Sequence, residues 1–518
     1  MYKANVSSIR KLVPLTLVFV LAIVVFKQYG FAGELRHDHA IFLYSGQQMA
    51  EGTPPYVSIF DNKGPLAPML AGLGVEISSL LGWSDILTVR MAFSLVGCFA
   101  VASVYLLGNS FFRSQRVGFF AALSFLGFFG FVHLATSIGP EPKVPVVLFE
   151  ALSLILMSRR QWFWAGLCGS LSMLVWQPTA VLPLVTLLLA VVQSPERRAA
   201  ALVRATVGIG LPLGAVSAYF HYHGAFYEML DGFVLFNFLY SVRGPSLLED
   251  PLSHFLRPIG IAFTAYRVMF LPIFIGFTMI VYACYSRVVS WNSYRELLFK
   301  DTFAPIALTF PAFILLSLLD FQGPADFFVL LPYAAIGFGA FLDLAIRGTD
   351  ASERTLPPLR EGVEVRGLLT VGISILLLGL ATINGSATIN PELAKSRARY
   401  AQQKQAAQQI EDRFGRDAKL MSLGAPYTLV LLHRTNPTPY GFIKAGIDRR
   451  IQSRTPGGFA GWIRESEAYD PDVIVFNGGQ LQALRENHEE TLMDWLNSNY
   501  REDQIGPWKI YVKPPMNE

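Results

Sequence analysis

The sequence predicts an α-helical polytopic membrane protein of about 11 transmembrane helices, with a small soluble α/β domain at its C-terminal end. Three observations carry that prediction. The 518-residue chain is 52% hydrophobic and only 15% charged, too apolar for water to be its main solvent. Apolar runs of about 15 to 22 residues, near the length that crosses a hydrocarbon core, recur through most of it. After residue 384 those runs stop, and polar helical text alternates with short β-like runs.

The apolar runs lie at 12–29, 88–108, 117–135, 144–158, 162–176, 178–193, 202–221, 267–286, 302–319, 325–346 and 367–384. A cleaved signal peptide over 12–32 is the weaker reading of the first run, because so many spans follow it. The segment 66–82 is apolar but short and is interrupted by Glu76, which suits a helix lying along the interface. Basic residues set the orientation. With Lys3, Arg10 and Lys11 inside, alternate loops carry Arg113 and Arg116, Arg159 and Arg160, Arg197 and Arg198, then Arg287, Arg295 and Lys300, then Arg347, Arg354, Arg360 and Arg366. The opposite loops are poorer in basic residues, and eleven spans put the C-terminus outside. The expected layout is therefore a membrane domain over 1–390, with outer loops 31–87, 136–143 and 222–266, and an extracytoplasmic domain over 391–518.

In that outer domain, "NPELAKSRARYAQQKQAAQQIEDRF" reads as an exposed charged helix leaving the membrane. "KLMSLG", "YTLVLLH", "DPDVIVFNG" and "WKIYVK" read as strands, and "LQALRENHEETLMDWLNSNY" as a helix. There is no phosphate loop: "TPGGFAGW" lacks the adjoining Lys-Ser/Thr. The simplest expectation for this domain is a structural cap.

Composition also excludes some partners. The net charge of +4 is small and dispersed, which argues against nucleic acid. Cys98, Cys168 and Cys284 sit inside apolar runs and read as small hydrophobes, not as a disulfide or metal set.

The chemistry gathers just past the first run, in "RHDHAIFLYSGQQMAEGTPPYVSIFDNKGPL". Asp38 stands between His37 and His39. Taken alone it reads as an interfacial carboxylate anchoring a loop. Asp61 and Lys63 share the same loop, Gly64-Pro65 turns the chain, and Tyr56 follows two prolines. A second acidic site, "SIGPEPKVP", places Glu141 between prolines with Lys143 beside it, on the same side by topology. Asp38, Glu141, Lys63 and Lys143 are thus expected to converge at one outer cavity. Carboxylates there can deprotonate an acceptor hydroxyl or amine, and a lysine can hold the phosphate of an amphipathic donor. The aromatic loop 222–266, with His221, His223, Tyr227, Phe233, Phe236, Phe238 and Tyr240, suits a lipid tail or a plain aromatic belt, and Arg243 and Arg257 suit anionic headgroups. Asp320, Gln322 and Asp326 mark one further outer turn.

These stretches resemble polytopic glycosyltransferases of the GT-C fold, in the branch of the protein O-mannosyltransferases and the enzyme that adds aminoarabinose to lipid A. Such proteins show an Asp-Glu pair after the first span, a "G…PY" stretch, a Lys-Pro-Pro-Leu-like motif and an Arg before the next span. The matching text is "HDHAIFLYSGQQMAEGTPPY", "DNKGPL" and "LLGWSDILTVRMAFSL" with Arg90, and "FFVLLPYAAIG" resembles a late span. The likeness is clearest over 31–110.

The resemblance implies transfer of a sugar from a polyprenyl-phosphate donor to a protein, lipid or glycan acceptor among membrane lipids. It makes Asp38 the general base, Lys63 the donor-phosphate ligand, and Glu141 the second acidic group, orienting the acceptor or a metal; Arg243, by its charge in the aromatic loop, is a second donor-phosphate candidate. His37, His39, Tyr56, Asp61 and Lys143 become substrate-binding candidates. No cofactor is certain, and a divalent metal stays open. Two positions depart from the pattern: His39 stands where the Glu of the pair belongs, and Gly64 where the first Pro belongs. The competing class is a transporter or lipid flippase, which requires ionisable groups inside the spans; Glu150 is the clearest one. A plasma-membrane location is expected, with the N-terminus cytoplasmic.

Overall fold

The computed structural model describes residues 2–240, 250–288, 291–319, 321, 323–353, 361–444, 446–477 and 484–514. Arg243, Asp320 and Gln322 lie outside the described residues.

Each expected span falls largely on helical residues, with 117–135 divided between two helices. The first four helices are α1 (Tyr2–Tyr29), α2 (His37–Ala50), α3 (Leu66–Leu81) and α4 (Asp85–Phe112). Among the described residues, four helices are long and apolar enough to cross a membrane: Leu12–Tyr29, α4, Arg198–Tyr222 and Gly367–Asn384. Gln115–Leu126 and Phe129–Ile138 make a fifth if that pair, bent by 64°, is one span. Shorter apolar helices include Trp162–Val175, Phe270–Tyr285 and Ala304–Leu319. Apolar side chains such as Leu17, Val20 and Ile23 of α1, or Val371 and Ile375 near the C-terminal end of the bundle, point outward. An exposed apolar face of this kind is what a lipid solvent allows.

Close helix contacts rest on small residues. A Cβ placed on Gly276 would lie 2.0 Å from the Ala334 carbonyl oxygen, and one on Gly337 2.1 Å from that of Gly276. Helices Phe270–Tyr285 and Leu331–Glu353 therefore touch backbone to backbone, as membrane helices do where packing replaces the hydrophobic drive. The segment 66–82 is helical over α3, with Leu73, Ile77, Leu80 and Leu81 exposed along one side and a left-handed Gly82 ending it.

Among the described residues the C-terminal domain carries a four-stranded sheet of β1 (Leu420–Leu423), β2 (Val473–Phe476), β3 (Arg501–Ile505) and β4 (Trp508–Val512), in the order β1-β2-β4-β3. β1 and β2 are parallel, and the other pairs are antiparallel. One reading of the sequence is corrected, and one strand is added to it. "YTLVLLH" forms the helix Tyr427–Leu432, not a strand. Pro426 precedes it, a left-handed His433 ends it, and its Leu429 and Val430 are buried on one side. "REDQI", too polar to read as a strand, forms β3 by pairing with β4 at the edge of the sheet. Helix Pro391–Phe414 begins at Asn390, whose side chain accepts from the Glu392 amide, and packs Ala406, Ala407 and Ile410 into the domain core.

That core does not stop at the domain. Leu35, Ala40, Ile41 and Tyr44 of the α2 region, with Phe60 and Val89, join the same buried cluster as Ile474 and Tyr511 of the sheet. The Tyr44 hydroxyl accepts from the Asn436 amide at 2.9 Å, and the Phe60 amide donates to the Pro439 carbonyl at 2.8 Å. The C-terminal domain is thus fixed onto the segment that carries Asp38.

Candidate active site

The site is built on the N-terminus of α2. The approach to it, residues 31–36, is held extended by two clamps. The fully buried Arg90 guanidinium donates to the carbonyls of Phe31 (2.6 Å), Gly33 (2.9 Å), Ile138 (3.3 Å) and Gly139 (3.1 Å). It therefore binds the Asp38 loop to the Glu141 loop. The Gln403 side chain pairs with both backbone groups of Leu35, at 2.8 and 3.0 Å. The arginine seen in the sequence before the second long apolar run is thus a brace, with its donors spent on backbone.

Asp38 lies in the first turn of α2, where the helix dipole favours a negative charge. Lys63 Nζ is 2.5 Å from Asp38 Oδ2; the carboxylate side chain is 48% exposed and the lysine 21%. Burial opposes ionisation of Asp38, but Lys63 and Lys444 outweigh it, with a smaller part from His39, and hold the carboxyl well below its usual range. Burial likewise works against the Lys63 ammonium; Asp38 and Asp61 outweigh it and hold the ammonium above its ordinary value. Burial lowers the His37 ring, partly offset by Asp38 and reinforced by Lys63. His37 Nδ1 bonds the Tyr427 hydroxyl.

The loop from α2 to α3 positions Lys63. Tyr56 adopts a left-handed backbone, is buried, and donates its hydroxyl to the Lys63 carbonyl at 2.6 Å. Gln177, at the break after helix Trp162–Val175, donates to the Asn62 carbonyl at 2.8 Å. A Cβ on Gly64 would lie 2.1 Å from the Leu174 carbonyl oxygen and 2.6 Å from that of Val175. This contact is the physical reason the chain departs from a Pro-Pro turn: only glycine fits against that helix end.

Asp61 is buried. Its Oδ1 accepts from the Asn62 amide at 2.8 Å, and its Oδ2 finds no hydrogen bond among the described residues. Lys444, from the C-terminal domain, donates to Asn62 Oδ1 at 2.8 Å. Burial lowers its ammonium, with Lys63 adding to this and Asp61 and Asp38 opposing it. Two lysines and two carboxylates therefore crowd together, one lysine from each end of the chain.

His39 and Glu141 are both buried, with His39 Nε2 3.1 Å from Glu141 Oε2. Glu141 Oε1 accepts from the Lys143 amide at 3.1 Å. The Lys143 ammonium pairs with Asp326 and lies 4.7 Å from the Trp176 ring centre. Of the four groups expected to converge, Asp38 and Lys63 pair directly, Glu141 joins through His39, and Lys143 is engaged with Asp326. Asp326 also accepts from the Gly323 amide at 2.9 Å, capping the short helical turn that follows. In the aromatic loop, Phe236 packs on Phe60 with ring centres 5.3 Å apart, while Phe238 and Tyr227 are exposed.

The donor set does not suit a divalent metal. Among the described residues no group of three or more His, Cys, Asp or Glu side chains is placed to hold one. His39 stands where a second adjacent carboxylate was expected and is spent on Glu141.

Sequence reasoning missed Lys444, Tyr427, Asn62, and the buried Asp231, which Arg450 meets at 2.7 Å. "GFIKAGIDRR" carries no motif that marks its lysine. Asn62 lies inside "DNKGPL" and was legible as a neighbour only.

No protein-family model and no curated protein sequence matches the chain significantly. Solved structures do. ArnT from Cupriavidus metallidurans, in the apo state, superposes with a TM-score of 0.58 at 15% identity, over 97% of this chain and 99% of that one. The archaeal oligosaccharyltransferase AglB from Archaeoglobus fulgidus, in complex with an inhibitory peptide and a dolichol-phosphate, gives 0.51 at 12% identity, over 97% and 75%. An Archaeoglobus fulgidus oligosaccharyltransferase complexed with Zn and sulfate gives 0.52 at 11%, over 97% and 74%. The chain has the fold of the GT-C polytopic membrane glycosyltransferases.

Proposed function

We propose that the protein moves a sugar from a polyprenyl-phosphate donor to an acceptor on the extracytoplasmic face of the plasma membrane, with its N-terminus in the cytoplasm. The observation that carries this reading is the Asp38–Lys63 pair, reinforced by Lys444, at the start of α2. The dolichol-phosphate held by AglB supports a lipid-linked donor.

The chemistry is a direct displacement. Asp38 takes the proton of an acceptor hydroxyl or amine as that group attacks the anomeric carbon. The bond from that carbon to the phosphate oxygen breaks, and the electron pair leaves with polyprenyl phosphate. Lys63 and Lys444 meet the developing phosphate charge. Tyr56 and Asn62 act by positioning the lysines, and Glu141 acts through His39 on the residue next to the base. The donor tail stays among apolar helices while the charged groups face water.

The test is transfer from a panel of radiolabelled polyprenyl-phosphate sugars to crude envelope acceptors. Wild type is expected to form product, and folded Asp38→Asn to form none. Equal activity in both removes Asp38 from the chemistry, and absence of transfer from every donor overturns the reading.

A further inference from the structure

A furrow on the water side of the molecule ends beside the base. Its inner part, about 500 Å³, is lined by Arg36, His37, Arg399, Gln402, Tyr427 and Trp508, among others. Its outer part, about 470 Å³, shares Gln402 and Pro507 and continues past Gln405, Gln409 and Gly506. The inner end is His37, the residue before Asp38.

The lining has a definite chemical character. Gln402, Gln405 and Gln409 fall at helical spacing on one face of helix Pro391–Phe414. They make no hydrogen bond among the described residues, whereas the neighbouring Gln403 is buried and spent on Leu35. The two arginines at the inner part are not free cations. Arg36 is 2.8 Å and Arg399 3.2 Å from the oxygens of the same buried Glu34. The floor is aromatic: the Tyr427 and Trp508 rings stack with 9° between their planes and centres 6.4 Å apart. Asn477, at the carboxyl end of β2, completes the wall.

Free side-chain amides each offer a donor and an acceptor on one planar group, which matches the adjacent hydroxyls of a sugar ring. A phosphate-rich ligand calls for unpaired lysines or arginines. An extended peptide calls for an open strand edge or apolar pockets. The furrow presents neither along its glutamine face.

We propose that the furrow is the acceptor site and that it takes a neutral saccharide chain, whose terminal hydroxyl reaches Asp38 past His37. This rests on the glycosyltransferase reading and names its acceptor class. Donor and acceptor then arrive from opposite sides, the one through lipid and the other through water.

The experiment uses the full chain in detergent, with Gln402→Ala/Gln405→Ala/Gln409→Ala as the variant. Three probes are titrated: short neutral homo-oligosaccharides of glucose, mannose, galactose and N-acetylglucosamine; a mixed peptide library; and polyprenyl phosphate alone. At least one oligosaccharide is expected to bind wild type and to bind the triple variant about tenfold or more weakly, with polyprenyl-phosphate binding unchanged in both. Equal oligosaccharide affinity in the two proteins, binding of none of the oligosaccharides, or glutamine-dependent binding of peptides in their place overturns the saccharide furrow. Loss of polyprenyl-phosphate binding by wild type overturns the transferase reading instead. Glutamine-dependent oligosaccharide binding would still establish the furrow in that case.

Discussion

Lys63 and Asp38 are each other's counter-ion: their nitrogen and oxygen stand 2.5 Å apart. In the proposed reaction the donor phosphate and Asp38 compete for the same ammonium. Arrival of the donor draws Lys63 away and leaves Asp38 a stronger base at the moment it is needed. Replacing Lys63 by Gln is expected to move the Asp38 titration to higher pH. Infrared titration of K63Q against K63Q/D38N isolates that carboxyl band, and an unmoved band refutes the coupling.

The same pair sets an acid-dependent stability. Because the folded carboxyl is held below its ordinary value, the unfolded chain binds the proton first as pH falls. The pair's contribution is full above the ordinary carboxylate value, about pH 4, and fades as pH drops through the folded value. Thermal unfolding of wild type and Asp38→Asn is expected to differ at neutral pH and to converge in strong acid. A gap that persists in acid assigns the difference to packing.

Arg90 holds two outer loops through four carbonyls, so Arg90→Met leaves those acceptors buried and unpaired. At roughly 1–3 kcal/mol for an unsatisfied buried group, the loss is expected to exceed about 3 kcal/mol and to abolish transfer. Chemical unfolding of the purified variant reads the first, and radiolabel transfer the second. A variant as stable as wild type contradicts the bracing role.

Gly64→Pro restores the family-like Lys-Pro-Pro text yet puts a ring against the Leu174 and Val175 carbonyls. The expected result is destabilisation by about 1–3 kcal/mol from overpacking, and loss of donor use as Lys63 shifts. Improved transfer in this variant contradicts the close contact.

Glu150 separates the two function classes. It is fully buried in helix Lys143–Ser158, near Tyr333. If the protein is a transferase, Glu150→Gln keeps the shape, replaces a carboxyl that is costly to bury in its charged form, and leaves transfer intact with an equal or higher melting temperature. Loss of function with the fold unchanged favours the transport reading.

The fold was legible because long apolar runs have few other uses, and Asp38, Lys63 and Glu141 were legible because they interrupt that pattern at outer loops. The pairing of Lys143 with Asp326 was not, since topology places both on one side without saying which neighbour wins. Lys444 was invisible for a different reason. Its place in the site comes from the shared core that joins Tyr44 and Phe60 to the loop 436–440, a long-range packing event with no local signature. β3 was missed because an edge strand needs little apolar content of its own.

The order of synthesis adds a last point. Asp38 and Lys63 are translated early and Lys444 late, after every helix of the membrane bundle. A chain still emerging from the ribosome therefore holds only one of the two ammonium groups at the base. Until its final portion has docked, such a chain lacks the second cation that would meet a departing phosphate, and so only the finished protein carries the complete charge cluster.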